Sequence, residues 1–282
     1  MQLKRRTLLS GLAASAAVPF MSAAHAKQAG ADTKWDKETD VLVIGYGGAG
    51  ACAAIEAHDK GSKVLIIEKM AQPGGNTAIS SGGFMVPQDG PTALKYLTAT
   101  YDLANSEKDD ELLNTFCKEI MGVKDWMTGL KEGTELWVYG HAGFQNLPGW
   151  EVIDKYRVRG KKRSGDCLFD LYRYAVEEKR NIPVMLETPA VQLIQKDGQV
   201  VGAVASNNGK NINIKVNKAV ILTTGGYEFD PESLRTYAQG ENYHALGNPG
   251  NTGDGLRMAQ SMGARLWHMT AYSCPLGTEL PG

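Results

Sequence analysis

A glycine-rich hexapeptide has the clearest chemical meaning in this sequence. It reads GYGGAG at 45–50 and directly follows the apolar run DVLVI at 40–44. Gly45 permits a tight turn, Gly47 lets the backbone approach a pyrophosphate without a Cβ in the way, and Gly50 lets a helix pack closely on a strand. The spacing therefore predicts that the phosphates of a dinucleotide bind at the start of a helix.

An acidic residue stands where such a site would need one. Glu68 lies 23 residues after Gly45 and ends a second apolar run, KVLIIE at 63–68. With a helix predicted over 48–60 between the two runs, the segment is a strand–helix–strand unit with a right-handed crossover. The carboxylate of Glu68 can accept hydrogen bonds from ribose hydroxyls, and it disfavours the 2′-phosphate of NADP. These features do not distinguish NAD from FAD.

A second polar glycine segment favours FAD. It contains GGNT at 74–77 and SGG at 81–83, where a nicotinamide-binding unit would continue into another regular crossover. Such a loop can return to the carboxyl ends of the strands and meet the cofactor there. A dehydrogenase that uses NAD remains the alternative.

Two late segments end in similar small residues. A strand predicted over 219–223 runs into Thr224, Gly225 and Gly226, and the segment GNTGDG at 250–255 precedes a predicted helix over 256–262. Asp254 offers a carboxylate in this second segment. It could contact a cofactor, cap the helix that follows, or do both.

The remaining pattern predicts an α/β fold with a central parallel sheet, a small antiparallel meander and helices. Residues 71–92 are expected to form a long loop, 93–130 mainly helices, 131–164 an irregular segment, and 168–179 an amphipathic helix. The expected meander comprises strands at 184–186, 190–195, 200–206 and 211–216. The Asp197-Gly198 and Asn208-Gly209 pairs are typical of hairpin turns between them.

The composition is that of an ordinary globular protein. The chain has 282 residues, a net charge of −1, 43% hydrophobic and 22% charged residues, so disorder is not expected and no basic excess indicates a nucleic-acid partner. The four cysteines form no C-x-x-C pair, which argues against a zinc knuckle or covalent haem, and no metal site is expected.

The first 26 residues are typical of an export signal. Lys4, Arg5 and Arg6 precede a mild apolar run that ends in an A-x-A site at Ala26. The paired arginines suggest the twin-arginine route and a periplasmic or otherwise exported protein. The alternative, a membrane anchor, is disfavoured because the run is short and interrupted, and no later segment could span a bilayer. Residues 27–37 are expected to be a linker and 38–282 one cofactor-binding domain.

Taken together, the motifs resemble those of the FAD-dependent fumarate reductase/succinate dehydrogenase flavoprotein superfamily. The resemblance is to its soluble branch of flavocytochrome c fumarate reductases, urocanate reductases and 3-ketosteroid dehydrogenases, and it covers roughly 38–282. It rests on GYGGAG at 45–50, EK with GGNT and SGG between 68 and 83, TTGGY at 223–227, and GNTGDG at 250–255. It implies a Rossmann-like FAD-binding domain in which Ala190 touches the adenine through its backbone and Asp254 lies near the flavin.

The residues predicted to bind FAD come from all of these segments, while no catalytic residue is assigned. They are Gly45, Gly47, Gly48, Ala49, Gly50, Glu68, Lys69, Gly74, Gly75, Asn76, Thr77, Ser81, Gly82, Gly83, Ala190, Thr224, Gly225, Gly226 and Asp254.

The resemblance stops short of the family's capping domain. That domain would follow the helix after Asp254 and supply the acid–base residues, so we expect the cap to be absent and the sequence to be an N-terminal portion. No His-Pro-Thr segment is present, and Thr278-Glu279 follows too closely to match. His268 and Tyr272, near the expected start of the cap, are expected to pack rather than to face substrate. The basic run at 157–163 is expected to be a solvated loop, the alternative being attraction of an anionic substrate or a redox partner.

These expectations define a function. The chain would belong to an exported FAD-dependent oxidoreductase that moves a hydride between flavin N5 and an activated C–C bond of a small substrate. A cytochrome or a quinone would exchange electrons with it. The alternatives are a non-catalytic, truncated FAD-binding fragment and the dehydrogenase that uses NAD.

Overall fold

The computed structural model describes residues 26–30, 33–141, 143–238 and 245–269. The predicted export signal, apart from Ala26, lies outside the described residues, as do Tyr272 and the Thr278-Glu279 pair. The described residues form two sheets and eight α-helices. Among them, no helix has the length and apolar character needed to cross a membrane.

The larger sheet has seven strands in the order β1-β8-β9-β10-β2-β3-β7. Its strands are β1 (Lys27–Gln28), β2 (Lys37–Ile44), β3 (Val64–Ile67), β7 (Val184–Met185), β8 (Ala190–Lys196), β9 (Gln199–Asn207) and β10 (Lys210–Leu222). The pairs β1–β8, β10–β2, β2–β3 and β3–β7 are parallel, and β8–β9 and β9–β10 are antiparallel. The predicted α/β class is confirmed.

The central strands β2 and β3 are buried on both faces. Leu42, Val43 and Ile66 have no exposed surface, and all four residues of β3 are buried. A continuous apolar run is what a parallel strand covered on both faces requires. Val41 and Val43 face the core shared with the helices on one side, and Leu42 and Ile44 face the other side.

The meander differs from its prediction in two ways. The strands expected at 211–216 and 219–223 are one strand, β10, with a bulge between Val216 and Ala219. β10 pairs with β9 over 210–215 and with β2 on both sides of the bulge, over 214–216 and 219–222. The strand expected at 184–186 lies outside the meander, because β7 pairs parallel with β3. Both hairpin turns are confirmed, since Asp197, Gly198, Asn208 and Gly209 all have positive φ.

A smaller antiparallel sheet falls where we expected loop and irregular structure. Its strands, β4 (Phe84–Pro87), β5 (Leu136–His141) and β6 (Ile153–Val158), lie in the order β4-β6-β5. The loop prediction for 71–92 and the irregular prediction for 131–164 are therefore wrong. The β-branched and aromatic residues of these strands favour a sheet, but glycine and proline on both sides of each short run obscure the pattern.

Eight helices surround the sheets: α1 (Gly48–Asp59), α2 (Gly75–Ile79), α3 (Gly90–Leu103), α4 (Asp110–Glu119), α5 (Val123–Gly129), α6 (Ser164–Arg173), α7 (Pro231–Tyr237) and α8 (Asp254–Ser261). A π-helical turn, Tyr174–Glu178, extends α6 almost to its predicted end. Asp89 and Asp109 cap the N-termini of α3 and α4. Their carboxylates accept from Thr92 N at 2.7 Å and from Leu112 N at 2.9 Å.

Two apolar clusters hold these layers together. On one face of the seven-stranded sheet, Ile55 of α1 and Phe169 of α6 pack against Ile66. On the other face, Leu42 and Ile214 pack with Met258 of α8. The sheet is therefore sandwiched between helices, and the carboxyl ends of β2, β3 and β10 open at one rim.

The segment expected to be a linker, 27–37, contains sheet residues. β1 pairs parallel with β8, and Ala29 N donates to Gln195 O at 2.8 Å. Trp35 packs against Gly202 of β9, where a Cβ would lie 2.8 Å from the indole ring. The segment is thus attached to the sheet along part of its length.

Candidate cofactor site

A cleft of about 530 Å³ opens at the carboxyl ends of β2, β3 and β10. This rim is where open α/β sheets bind their ligands, and the volume suits a small-molecule ligand. Thirteen of the predicted FAD-binding residues line the cleft: Gly45, Gly47, Gly48, Ala49, Glu68, Lys69, Gly75, Asn76, Thr77, Ala190, Thr224, Gly225 and Asp254.

The glycines of the first turn are present for different physical reasons. Gly45 has φ +104°, and a Cβ there would overlap the carbonyl oxygen of Thr223. A Cβ on Gly50 would overlap the carbonyl oxygen of Gly45, because α1 starts so close to β2. Gly47 has an ordinary φ of −93°, and its Cβ would be 3.7 Å from the nearest protein atom. Folding therefore requires glycine at 45 and 50, whereas at 47 the described residues leave room for a side chain.

The first turn of α1 faces the cleft with unpaired amides. Gly48 N donates to Thr77 Oγ1 at 3.0 Å, which ties α1 to α2. The amides of Ala49 and Gly50 have no acceptor four residues earlier in the helix, and Ala49 is exposed in the cleft. These donors and the positive end of the helix dipole suit the phosphates of a dinucleotide.

Glu68 is fixed at the end of β3 by backbone donors. Its Oε2 accepts from Tyr46 N at 2.7 Å, and its Oε1 accepts from Met70 N at 2.8 Å. The residue is only 9% exposed, and it lines the cleft. A carboxylate has about four acceptor sites, so roughly two remain for ligand hydroxyls. This geometry suits the ribose contact predicted for Glu68.

Tyr46 anchors the same turn from below. It is fully buried, lies edge-on to Phe169, and donates from its hydroxyl to Glu177 Oε1 at 3.1 Å. Burial, with the neighbouring Glu177 carboxylate, raises the pKa of the Tyr46 phenol far above its usual range. The phenol therefore stays neutral and keeps donating.

An ion pair crosses the cleft from β3 to α8. Lys69 Nζ lies 2.7 Å from Asp254 Oδ2 and 2.7 Å from Thr252 Oγ1, and Arg257 Nη2 lies 2.8 Å from Asp254 Oδ1. Asp254 is the first residue of α8, and the capping position belongs to Gly253, whose φ is +74°. Of the alternatives left open for Asp254, capping of the helix is not seen, because α8 begins at Asp254 and Gly253 occupies the capping position.

A second polar link joins the two walls, and its central residue was missed in the sequence. Glu228 Oε1 accepts from Asn76 Nδ2 at 2.9 Å and from Asn251 Nδ2 at 2.6 Å. Asn76 Oδ1 accepts in turn from Asn248 N at 2.6 Å. Both polar ends of the Asn76 side chain are thus held by the protein, and the wall around α2 is fastened to the 248–251 loop.

Six predicted residues do not line the cleft: Gly50, Gly74, Ser81, Gly82, Gly83 and Gly226. Packing explains several of them. A Cβ on Gly82 would overlap the Ser164 carbonyl oxygen at the start of α6, and a Cβ on Gly83 would overlap the Tyr139 hydroxyl. Contact between these residues and FAD stays a prediction.

Sequence reasoning also missed cleft residues that lie outside the glycine motifs. Thr188 is fully buried, donates to Leu186 O at 2.8 Å and accepts from Asn207 Nδ2 at 2.9 Å. No local pattern marks it. Asn248 and Asn251 were detectable, because they stand in the same loop as Asp254.

No group of three or more potential metal ligands occurs within the described part of the chain. Cys52, Cys117 and Cys167 are free thiols, while Cys274 lies outside the described residues. Burial raises the pKa of the Cys52 thiol to about 11, so this thiol is protonated at neutral pH and packs as a small apolar side chain.

The family follows from comparison with known proteins. Residues 40–275 match the family described as FAD binding domain, and the chain belongs to that family. The prediction that FAD is the cofactor is thereby confirmed, as is the resemblance to the fumarate reductase-like flavoproteins. The cleft fits FAD, because the absence of a side chain at Gly47 leaves space beside the start of α1 that no residue in the described part of the chain fills.

Individual relatives agree with this assignment. Fumarate reductase (cytochrome) of Shewanella frigidimarina is 31% identical over 241 residues, which cover 82% of this chain and 41% of that protein. The acrylate reductase flavoprotein subunit of Shewanella woodyi is 30% identical over 289 residues, which cover 95% of this chain and 55% of that protein.

A solved structure shares the fold. The 3-ketosteroid-Δ4-(5α)-dehydrogenase of Rhodococcus jostii RHA1 aligns with a TM-score of 0.76 at 23% identity, over 88% of this chain and 58% of that one. The chain spans between about a quarter and about half of the length of the curated relatives it matches.

Proposed function

We propose that this chain is the FAD-binding part of an oxidoreductase that acts on an activated C–C double bond of a small substrate. The cleft supports binding of the cofactor. The relatives support the reaction, because fumarate and acrylate, which stand in their names, are both unsaturated carboxylic acids. The observation that carries the proposal is the open position of Gly47 beside the unpaired amides of α1.

Bound FAD would supply the redox chemistry by taking up or giving a hydride at the substrate carbon. The residues of this chain bind and orient it. The α1 amides would hold phosphate, the Glu68 carboxylate would accept from ribose hydroxyls, and Ala190 would contact the adenine. The Lys69–Asp254 pair and the Asn76–Glu228 link fix the opposing walls of the cleft.

The proposal includes an exported location and an electron partner. The segment 1–26 has the residue pattern of a twin-arginine signal, which supports export to the periplasm. A cytochrome or a quinone would then exchange electrons with the flavin, and the relative named as a cytochrome-type fumarate reductase supports the first of these.

The test uses the purified full-length protein that contains this chain. We expect a bound flavin with its visible absorbance band, released on denaturation and identified as FAD by chromatography. After reduction by a viologen dye, we expect reoxidation by acrylate or fumarate and none by the saturated acids propionate and succinate. Protein that binds FAD without reoxidation by any enoate would favour the alternative of a non-catalytic FAD-binding chain. Protein that binds NAD and no flavin would overturn the proposal.

A further inference from the structure

One face of the small sheet carries two cations and two aromatic rings. Lys155 and Arg157 alternate along β6, and Trp137 of β5 lies directly opposite Arg157. Tyr139 follows on the same edge of β5. The basic run that begins at Arg157, expected to be a solvated loop, therefore begins inside a strand.

The Arg157 guanidinium lies over this aromatic surface. Its Cζ is 3.9 Å from the centroid of the Tyr139 ring and 6.0 Å from that of Trp137. Such stacking holds the planar group in one orientation. Its Nε is buried without a hydrogen-bond partner, and Arg157 forms no hydrogen bond or ion pair with any residue in the described ranges.

The other arginines of the run are paired. Arg159 Nε lies 3.3 Å from Glu135 Oε2, and Arg163 Nε lies 2.9 Å from Asp166 Oδ2. A buried guanidinium N–H without an acceptor is costly, and a free fork of N–H donors matches the two oxygens of a carboxylate. Arg157 is therefore oriented for an anion that the described residues do not supply.

This face adjoins the second glycine turn. A bulge between Val138 and Gly140 brings the Tyr139 hydroxyl against Gly83, where a Cβ would overlap it. Gly83 lies six residues after Thr77, which lines the cleft. Met85, 47% exposed at the start of β4, adds apolar surface beside Lys155, its partner across the strands.

We propose that Arg157, placed over the Tyr139 ring, binds the carboxylate of a small unsaturated acid, with Lys155 adding positive charge and Met85 apolar contact. The identity of the ligand rests on the proposed function, whereas the anion site itself rests on the geometry of Arg157. Such a site favours a charged acid over its neutral amide, because the guanidinium pairs with a carboxylate.

The test measures binding rather than turnover. The FAD-loaded full chain is titrated by calorimetry with crotonate and with crotonamide, which share the double bond and differ in charge. We expect crotonate to bind, and Arg157→Gln to weaken its affinity by about tenfold or more. Crotonamide should bind more weakly, and equally to both proteins. Arg157→Lys, which keeps the charge but not the paired N–H donors of the guanidinium, should bind crotonate severalfold more weakly than the original chain.

Arg163→Gln is the matched control, since it removes one charge from the same run and should leave crotonate affinity unchanged. The flavin spectrum of each sample shows separately whether FAD is bound, so a failure of the proposed function is distinguishable. Loaded protein that does not saturate with crotonate would overturn the inference. So would equal weakening by Arg157→Gln and Arg163→Gln. If Arg157→Gln fails to fold, an Arg157→Lys protein with unchanged crotonate affinity would overturn it as well.

Discussion

The two glycine turns near the cleft, at 45–50 and at 81–83, look alike in sequence but need glycine for different reasons. At 81–83, Gly82 is needed for packing because a Cβ would overlap the backbone of Ser164, and a Cβ on Gly83 would displace the Tyr139 hydroxyl. In the first turn, Gly45 and Gly50 are needed for packing too, but Gly47 is not. A glycine that folding requires says nothing about a ligand. Contact with the cofactor is therefore best supported at Gly47 and least supported at Gly82 and Gly83.

The largest expected effect is on folding at the second turn. Gly82 has φ +65°, and its Cβ would overlap backbone atoms of Ser164 and Gly165. Gly82→Ala should lower the free energy of unfolding by about 2–4 kcal/mol, because strain and overlap with backbone add. Urea unfolding of the FAD-free protein measures this. Gly129→Ala in α5, where no atom lies within 4 Å, should leave stability equal or slightly higher.

Gly47→Ala should weaken FAD binding and leave the stability of the FAD-free protein nearly unchanged. Its FAD-free stability should stay within about 0.5 kcal/mol of the original chain, since the new Cβ has only ordinary contacts. Its FAD affinity, followed by quenching of flavin fluorescence, should fall by about tenfold to a hundredfold, roughly 1.4–2.8 kcal/mol. Unchanged affinity would remove the distinction drawn between the two turns.

Glu228 tests whether the polar link across the cleft supports the first turn. Glu228→Ala frees the exposed Asn76 and the buried Asn251, and we expect FAD affinity to drop by about tenfold, because both amides lose their acceptor. Glu228→Gln keeps an acceptor oxygen and should retain most of the affinity. Glu232→Ala, a change of the same kind on α7, is the control. Equal effects of Glu228→Ala and Glu232→Ala would contradict a link role.

The smallest effect is expected at the far end of α1, away from both turns. Arg180 donates to both carboxylate oxygens of Asp59, at 2.7 and 2.6 Å, and lowers the pKa of Asp59 to about 2. A lowered pKa stabilises the fold above the unfolded-state value of about 3.9, and this contribution is lost as pH falls towards 2. Because the Asp59 side chain is 45% exposed, Asp59→Asn should cost no more than about 1 kcal/mol at pH 7.

Denaturant unfolding between pH 2 and pH 7 checks the sign. The difference in the free energy of unfolding between the original chain and Asp59→Asn should shrink towards pH 2. FAD affinity at pH 7 should not change. A difference that grows on acidification would mean that Asp59 is not held by Arg180.

The sequence was most informative where structure is local. The strand–turn–helix–strand unit with Glu68 was predictable, because its residues are close in the chain and the glycines between the two apolar runs have a regular spacing. The small sheet was not, because Phe84 pairs with Tyr156 across a long stretch with no continuous pattern. For the same reason Glu228 escaped detection, since its partner Asn76 is 152 residues away. Distant polar partners leave no periodicity in the sequence.

The first strand of the large sheet, β1, protects part of the edge of its neighbour β8. β1 covers the outer edge of β8, and Lys27 Nζ reaches Asn213 Oδ1 at 3.0 Å. Exposed strand edges invite pairing with other chains. Proteolytic trimming of a handful of residues here would uncover β8 and promote self-association, so purification and storage should preserve everything from Lys27 onward.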